Sequence, residues 1–282
     1  MFRILAALMA LAFLSIGATA SAAESYDNCT GFITSLPTVI TTQGTWCLKQ
    51  DLATAVTSGN AISINTNNVT IDCNNFKLGG LAAGAGTIAI GIYAQDRVNE
   101  TVRHCNVRGF YAGIDLVGSG GGHVVEANRL DGNTSYGVDV DGDGSLIRNN
   151  LVFNTGGSTV SNTAYGIVSN MSVDVLDNSV FGVTATSGGG GNAVGINTGS
   201  EDGGTVAGNR IRGLVKDGAG QAYGIYNSFS GRISVRDNNV FGPGAMGIHC
   251  FDASGSMKDN QINGFTSATD NCIDSGGNAI IP

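Results

Sequence analysis

Gly137-Val138-Asp139-Val140-Asp141-Gly142-Asp143-Gly144, followed by Asn149-Asn150-Leu151, is one copy of a phrase that recurs along the chain. The phrase is a small residue and an aliphatic one, a variable turn, then an Asn two positions before another aliphatic. Its openers are Ala61-Ile62, Gly91-Ile92, Gly113-Ile114, Gly137-Val138, Gly166-Ile167, Gly195-Ile196, Gly224-Ile225 and Gly247-Ile248, and Cys272-Ile273 is expected to start a ninth, incomplete copy. From Gly91 the steps are 22, 24, 29, 29, 29, 23 and 25 residues. Alternating runs such as Ala61-Ile62-Ser63-Ile64, Asn68-Val69-Thr70-Ile71-Asp72 and Ile233-Ser234-Val235 have the period of strands. A unit this short cannot bury its apolar side alone and must stack on its neighbours. The expectation is an all-β fold, a parallel β-helix solenoid of about eight coils.

Late in each copy stand Asn128-Arg129-Leu130, Asn149-Asn150-Leu151, Asn178-Ser179-Val180, Asn209-Arg210-Ile211, Asn238-Asn239-Val240 and Asn260-Gln261-Ile262. With coils about 4.8 Å apart, these asparagines should stack as a ladder of side-chain amides, and the aliphatic two residues on should point inward. Asn also tolerates the left-handed backbone of a sharp turn.

Residues 1–23 read as a secretory signal peptide: Arg3, the apolar run Ile4 to Ile16, and a small-residue cleavage site at Ala18-Thr19-Ala20 or Ala20-Ser21-Ala22. That run is shorter than the roughly 20 residues of a bilayer span, and no second one follows, so no membrane span is expected after cleavage. The remainder, 24–282, reads as one domain with its N-terminal cap at about 24–58. Secretion or periplasmic export follows. Without Arg3, 13 basic residues face 22 acidic ones, and the basic ones are scattered, which excludes a nucleic-acid partner. All six cysteines, Cys29, Cys47, Cys73, Cys105, Cys250 and Cys272, lie beyond the leader, which in an exported chain reads as disulfides. Cys73 with Cys105, and Cys250 with Cys272, fall at similar positions of consecutive copies and could bridge neighbouring coils, leaving Cys29 with Cys47 for the cap.

The stretch Leu36-Pro37-Thr38-Val39-Ile40 through Gly44-Thr45-Trp46-Cys47-Leu48, then Asn68-Val69-Thr70-Ile71-Asp72-Cys73, with the Asn repeats, resembles the right-handed parallel β-helix superfamily, the pectin-lyase-like fold. The likeness spans about residues 30–280 and is nearest in look to uncharacterised exported bacterial members. It implies a right-handed solenoid and a substrate groove along an outward strand face. In that family the partner is commonly a polysaccharide and the chemistry lyase or glycoside hydrolase.

Side chains alternate along a strand, so the residue after each opening aliphatic should face out: Ser63, Tyr93, Asp115, Asp139, Val168, Asn197, Tyr226, His249 and Asp274. Tyr93, Asn197 and Tyr226 on this column could stack on and hydrogen-bond sugar rings. Asp115 with Asp139, Asp141 and Asp143 forms an acidic knot. Asp139, Asp141 and Asp143 match the first half of a calcium loop, making calcium the possible cofactor. Asp115, Asp139 and Asp141 suit paired-carboxylate catalysis, or the knot is a solvated turn. Arg97 and His123, in the turns after neighbouring outward strands, are the candidate basic groups of a lyase. The alternative to a carbohydrate-acting protein is a non-catalytic structural or adhesion module of the cell envelope.

Overall fold

The computed structural model describes residues 26–199 and 203–281, so the expected signal peptide lies outside the described residues. Each turn of chain lays down short strands on three faces, and each strand pairs in parallel with its counterpart one turn later. The first face includes Asn60–Ile64, Ile90–Gln95, Ala112–Val117, Tyr136–Asp141, Ala164–Asn170, Ala193–Gly199 and Ala222–Asn227. The second includes Thr101–Arg103, Val124–Glu126, Leu146–Arg148 and Asp174–Leu176. The third includes Lys77–Gly79, Asn106–Arg108, Arg129–Asp131, Leu151–Phe153, Ser179–Phe181 and Arg210–Arg212. The result is a parallel β-solenoid of about nine turns, against the eight expected.

All eight openers lie on the first face. Its inward column, Ile92, Ile114, Val138, Ile167, Ile196, Ile225 and Ile248, is fully buried. Val125, Ile147 and Val175 from the second face, and Leu130, Val152, Val180 and Ile211 from the third, meet it along the axis. Burying one such side chain stabilises the fold by about 1.5–3 kcal/mol, and stacking turns is what makes that burial possible. The stretch expected as a cap already contributes strands to the ladders: Gly31–Ile33 pairs with Gly44–Leu48, and Thr38–Ile40 with Asn60–Ile64.

The last turn departs from the expectation. Strand Gln261–Asp270 runs from the third face straight onto the first, so Asp270, not Asp274, follows His249 in the outward column. Cys272-Ile273 does not open a ninth first-face strand; Ile273 pairs with Ser256 on the second face. The corner has no loop here, as in the preceding turn, where Asn239–His249 is likewise a single strand.

The amide ladder is continuous. Nδ2 of Asn128 donates to Oδ1 of Asn150 at 3.0 Å, Asn150 to Asn178 at 3.0 Å, Asn178 to Asn209 at 3.1 Å, Asn209 to Asn238 at 3.0 Å and Asn238 to Asn260 at 3.0 Å. Asn260 passes the pattern to Asn278 at 3.0 Å. Each amide also donates to a buried carbonyl, as Asn178 does to Ile147 at 2.9 Å. Of the doublet Asn149-Asn150, Asn150 is the rung. Asn149 takes the left-handed turn at φ 54°, so Val152 points inward and Leu151 is 37% exposed. At the N-terminal end the backbone N–H of Cys105 donates to Asn128 Oδ1, placing Cys105 where a further rung would stand.

The disulfides are Cys29–Cys47, Cys73–Cys105 and Cys250–Cys272, and they fit an oxidising compartment. Replacing Cys250 and Cys272 by Ala should cost roughly 3–4 kcal/mol by releasing a loop of their spacing in the unfolded chain. Urea unfolding would read this as a lower midpoint with a somewhat steeper slope, because the released unfolded chain exposes more surface.

Candidate functional site

The first face carries two outward columns, and glycine is the reason. In Tyr136-Gly137-Val138-Asp139, a Cβ on Gly137 would lie 2.4 Å from both the Gly166 carbonyl oxygen and Val152 Cγ1. Gly137 and Val138 are both buried, so alternation slips by one and Tyr136 and Asp139 face outward together. The ladder register steps over these glycines, pairing Tyr136 with Tyr165 and Val138 with Ile167.

One column is the expected one: Ser63, Tyr93, Asp115, Asp139, Val168, Asn197, Tyr226 and His249 pair in succession, one per turn. The other is aromatic and was not anticipated. Tyr111 and Tyr136 meet edge to face at 5.6 Å, and Tyr136 and Tyr165 stack at 5.2 Å and 4°. Further along, Tyr223 tilts on Tyr226 at 4.6 Å, and Tyr226 stacks on His249 at 4.6 Å and 13°. The signal in the sequence is a Tyr immediately before the opening Gly at 136, 165 and 223.

Asp115 and Asp139 sit directly opposite each other on paired strands, about 4.8 Å apart by strand spacing. Oδ1 of each is shielded from solvent with no hydrogen-bond partner among the described residues. Burial, then the charge of Asp141, pushes the Asp115 carboxyl up to about 7. Burial, then Asp115 and Asp141, pushes Asp139 up to about 8. Two half-buried carboxyls this close titrate as a pair, so near neutral pH the site holds a protonated acid beside a carboxylate. Burial and Asp139 also raise the hydroxyl of Tyr165, keeping it a neutral donor.

Asp141 belongs to the electrostatics of the pair, but its own oxygens are engaged. Oδ1 accepts from Asn170 Nδ2 at 2.6 Å and Oδ2 from the Gly118 N–H at 3.2 Å. Asp143 lies in the turn beyond and accepts from the Ser172 N–H at 3.2 Å. Among the described residues no three His, Cys, Asp or Glu side chains converge to hold a metal ion. Tyr93 donates to Gln95 at 2.8 Å. Asn197 and Tyr226 share a cup of about 200 Å³ with Tyr165, Asn192, Tyr223 and Ser228.

His123 and Arg97 lie in the turns that follow the first-face strands Ala112–Val117 and Ile90–Gln95. His123 is 1% exposed and its Nδ1 accepts the Glu100 N–H at 3.3 Å, inside the turn stack. Arg97 is half-buried near Glu100, whose carboxyl burial raises to about 7 while Arg97 acts to lower it. His249 is followed in the column by Asp270, its Nδ1 2.8 Å from Asp270 Oδ2.

No family model matches this chain, and no curated protein matches it. Among solved structures it is similar to the Dettilon tailspike protein, with 16% identity and a TM-score of 0.62 over 88% of this chain and 53% of that one. That likeness shows the fold alone, a parallel β-helix; the chain spans about half the tailspike's length. It also matches the A-module of a mannuronan C-5 epimerase from Azotobacter vinelandii at 13% identity, TM-score 0.45, over 84% of this chain and 81% of that one. A GH87 α-1,3-glucanase catalytic unit from Streptomyces thermodiastaticus matches at 13% identity, TM-score 0.43, over 85% and 58%.

Proposed function

We propose that the protein is exported and binds a neutral polysaccharide along the first face, hydrolysing it at the Asp115–Asp139 pair. The observation that carries this reading is the coincidence on one face of a carboxyl pair with raised proton affinity and a run of outward tyrosines. Aromatic rings stack on the apolar faces of sugars. A carboxyl kept protonated near neutral pH can protonate a glycosidic oxygen, and its ionised neighbour can attack or stabilise the anomeric carbon. Asp139, with the higher affinity, is the general acid and Asp115 the carboxylate. Tyr93, Asn197 and Tyr226, with the unanticipated Tyr136, Tyr165 and Tyr223, hold the chain on either side.

Lyase chemistry on a uronate is disfavoured by charge. The outward column from Ser63 to His249 contains no Lys or Arg, so a uronate carboxylate would meet two acidic groups with nothing to neutralise it. The reading routes no step through calcium, because the oxygens of Asp141 are already hydrogen-bonded within the fold.

The test is incubation of the mature protein with neutral glucans and with uronate polymers. Reducing ends from a neutral glycan are expected, without the absorbance near 235 nm that unsaturated uronate products give. The pair spacing of about 4.8 Å is close to the roughly 5 Å of retaining glycosidases, so proton NMR of the first product should show the substrate's anomeric configuration. Unsaturated products would assign a lyase. Neither product, with no retention on any glycan in affinity electrophoresis, would leave the structural or adhesion module.

A further inference from the structure

The third face carries a different chemistry. Three successive turns place Lys77, Asn106 and Arg129 in one outward row, and Arg108 with Asp131 in the next. With Asp51 and Asn75 these residues line a cavity of about 500 Å³ whose every lining side chain is polar. In a chain of net charge -8, three cations here face two carboxylates. Lys77 pairs with Asp51 at 3.1 Å and Arg108 with Asp131 at 3.6 Å. Arg129 makes no ion pair among the described residues; its guanidinium lies 4.3 Å from the centre of the Phe153 ring. Stacking holds that guanidinium in place and leaves its edge donors unused.

The second observation is Arg108 Nε, which is shielded from solvent and has no hydrogen-bond partner among the described residues. An unmet charged donor is costly, and an anionic oxygen is the partner that recovers most. Asn75 and Asn106 are already joined, Asn106 Nδ2 donating to the Asn75 carbonyl, which fixes an amide beside the cations.

We infer that this cavity is a second ligand site, separate from the first face, and that it takes a sugar bearing an oxyanion: a carboxylate, sulfate or phosphate. Arg108 and Arg129 hold the anionic group, Lys77 supplies a third charge, and Asp51, Asn75, Asn106 and Asp131 meet hydroxyls. The inference does not rest on hydrolysis at the first face.

Calorimetric titration with glucuronate, glucose 6-sulfate, glucose 6-phosphate and glucose tests it and shows which anionic group is preferred. At least one charged sugar should bind with a Kd on the order of millimolar, and glucose at least tenfold more weakly. Arg108→Gln and Arg129→Ala should each weaken the charged sugar about tenfold or more, whereas Asp139→Asn on the other face should leave it unchanged. Both arginine side chains are partly or fully exposed, and circular dichroism of the variants verifies the fold. Equal affinity for glucose, no binding of any charged sugar, or binding indifferent to both arginine substitutions would each overturn the inference.

Discussion

Asn178→Ala is expected to destabilise the protein by about 3–5 kcal/mol, the largest effect of any single polar substitution considered. The side chain donates to Asn209 Oδ1 and to the Ile147 carbonyl, and its Oδ1 accepts both the backbone N–H and Nδ2 of Asn150. Asn178 is 1% exposed, so water cannot replace what is lost without entering the turn. The Asn150 backbone N–H would be buried without an acceptor, and the Ile147 carbonyl would lose a donor, each orphaned group costing about 1–3 kcal/mol. Asn239→Ala serves as the control: Asn239 neighbours rung Asn238 but is only half-buried and accepts no ladder bond, so a change within about 0.5 kcal/mol is expected. Urea midpoints of the two variants decide it; equal midpoints would remove the ladder from the list of stabilising elements.

Asp139→Asn is expected to change stability and activity in opposite directions. An Asn cannot protonate a leaving group, so hydrolysis should fall by about 10²–10⁴-fold. Stability should rise at alkaline pH. In the folded protein the carboxyl is pushed from 3.8 to about 8, whereas the unfolded chain ionises near the ordinary value. Between those limits the folded state holds a proton that the unfolded state has lost, so stability is full below about pH 4 and declines as pH rises through 8. Asp115, raised to about 7, adds to the slope in the same direction. Neutralising Asp139 removes its own contribution and part of that of Asp115, a gain on the order of a few kcal/mol at pH 9. Glu100, also raised to about 7 by burial, leaves a residual slope. Thermal midpoints at pH 5 and 9 check this: the wild type should lose stability between them and the variant should lose clearly less. A variant less stable than wild type at pH 9 would mean that the pair is ionised and compensated, and the assignment of Asp139 as the acid would go with it.

The solenoid was legible because its determinants are local and repeated. Gly-Ile openers, alternating runs and, from Asn128 on, an Asn before each third-face strand are all visible without knowing what packs on what. The ambiguity at Asn149-Asn150 shows the limit of that legibility, since either residue stands two before an aliphatic. Only the register of the turn, with Asn149 at positive φ, selects Asn150. Of the site, the column through Asp115 and Asp139 follows from alternation started at the opener. The tyrosine column does not, because Tyr136 and Asp139 share a face only once the strand has slipped at Gly137. For His123, sequence gives the turn's position along the coil but not that the ring is buried within the turn stack, 1% exposed. The pairing of Lys77, Arg108 and Arg129 was equally hidden, since they come from three different turns and only Arg129, at the variable position of Asn128-Arg129-Leu130, falls within the repeated phrase.

The asparagine ladder also makes the length of this rod an adjustable quantity. From Asn128 to Asn260 every turn offers its neighbours the same interface, one amide hydrogen toward the next turn's carboxamide oxygen and the other, with the carboxamide oxygen, toward the preceding turn, whatever lies in the loops between. A turn could therefore be duplicated or deleted whole, and the flanking turns would meet a rung identical to the one they had lost. The sequence intervals between rungs, 18 to 31 residues, show how much loop variation that interface already tolerates. Such insertions would be accepted only on the C-terminal side of Cys105, where the rung is a disulfide and the interchangeable interface stops. Descent with a changing number of turns is thus built into the middle of the molecule, while the acidic pair and the basic cavity draw on the turns nearest its fixed end.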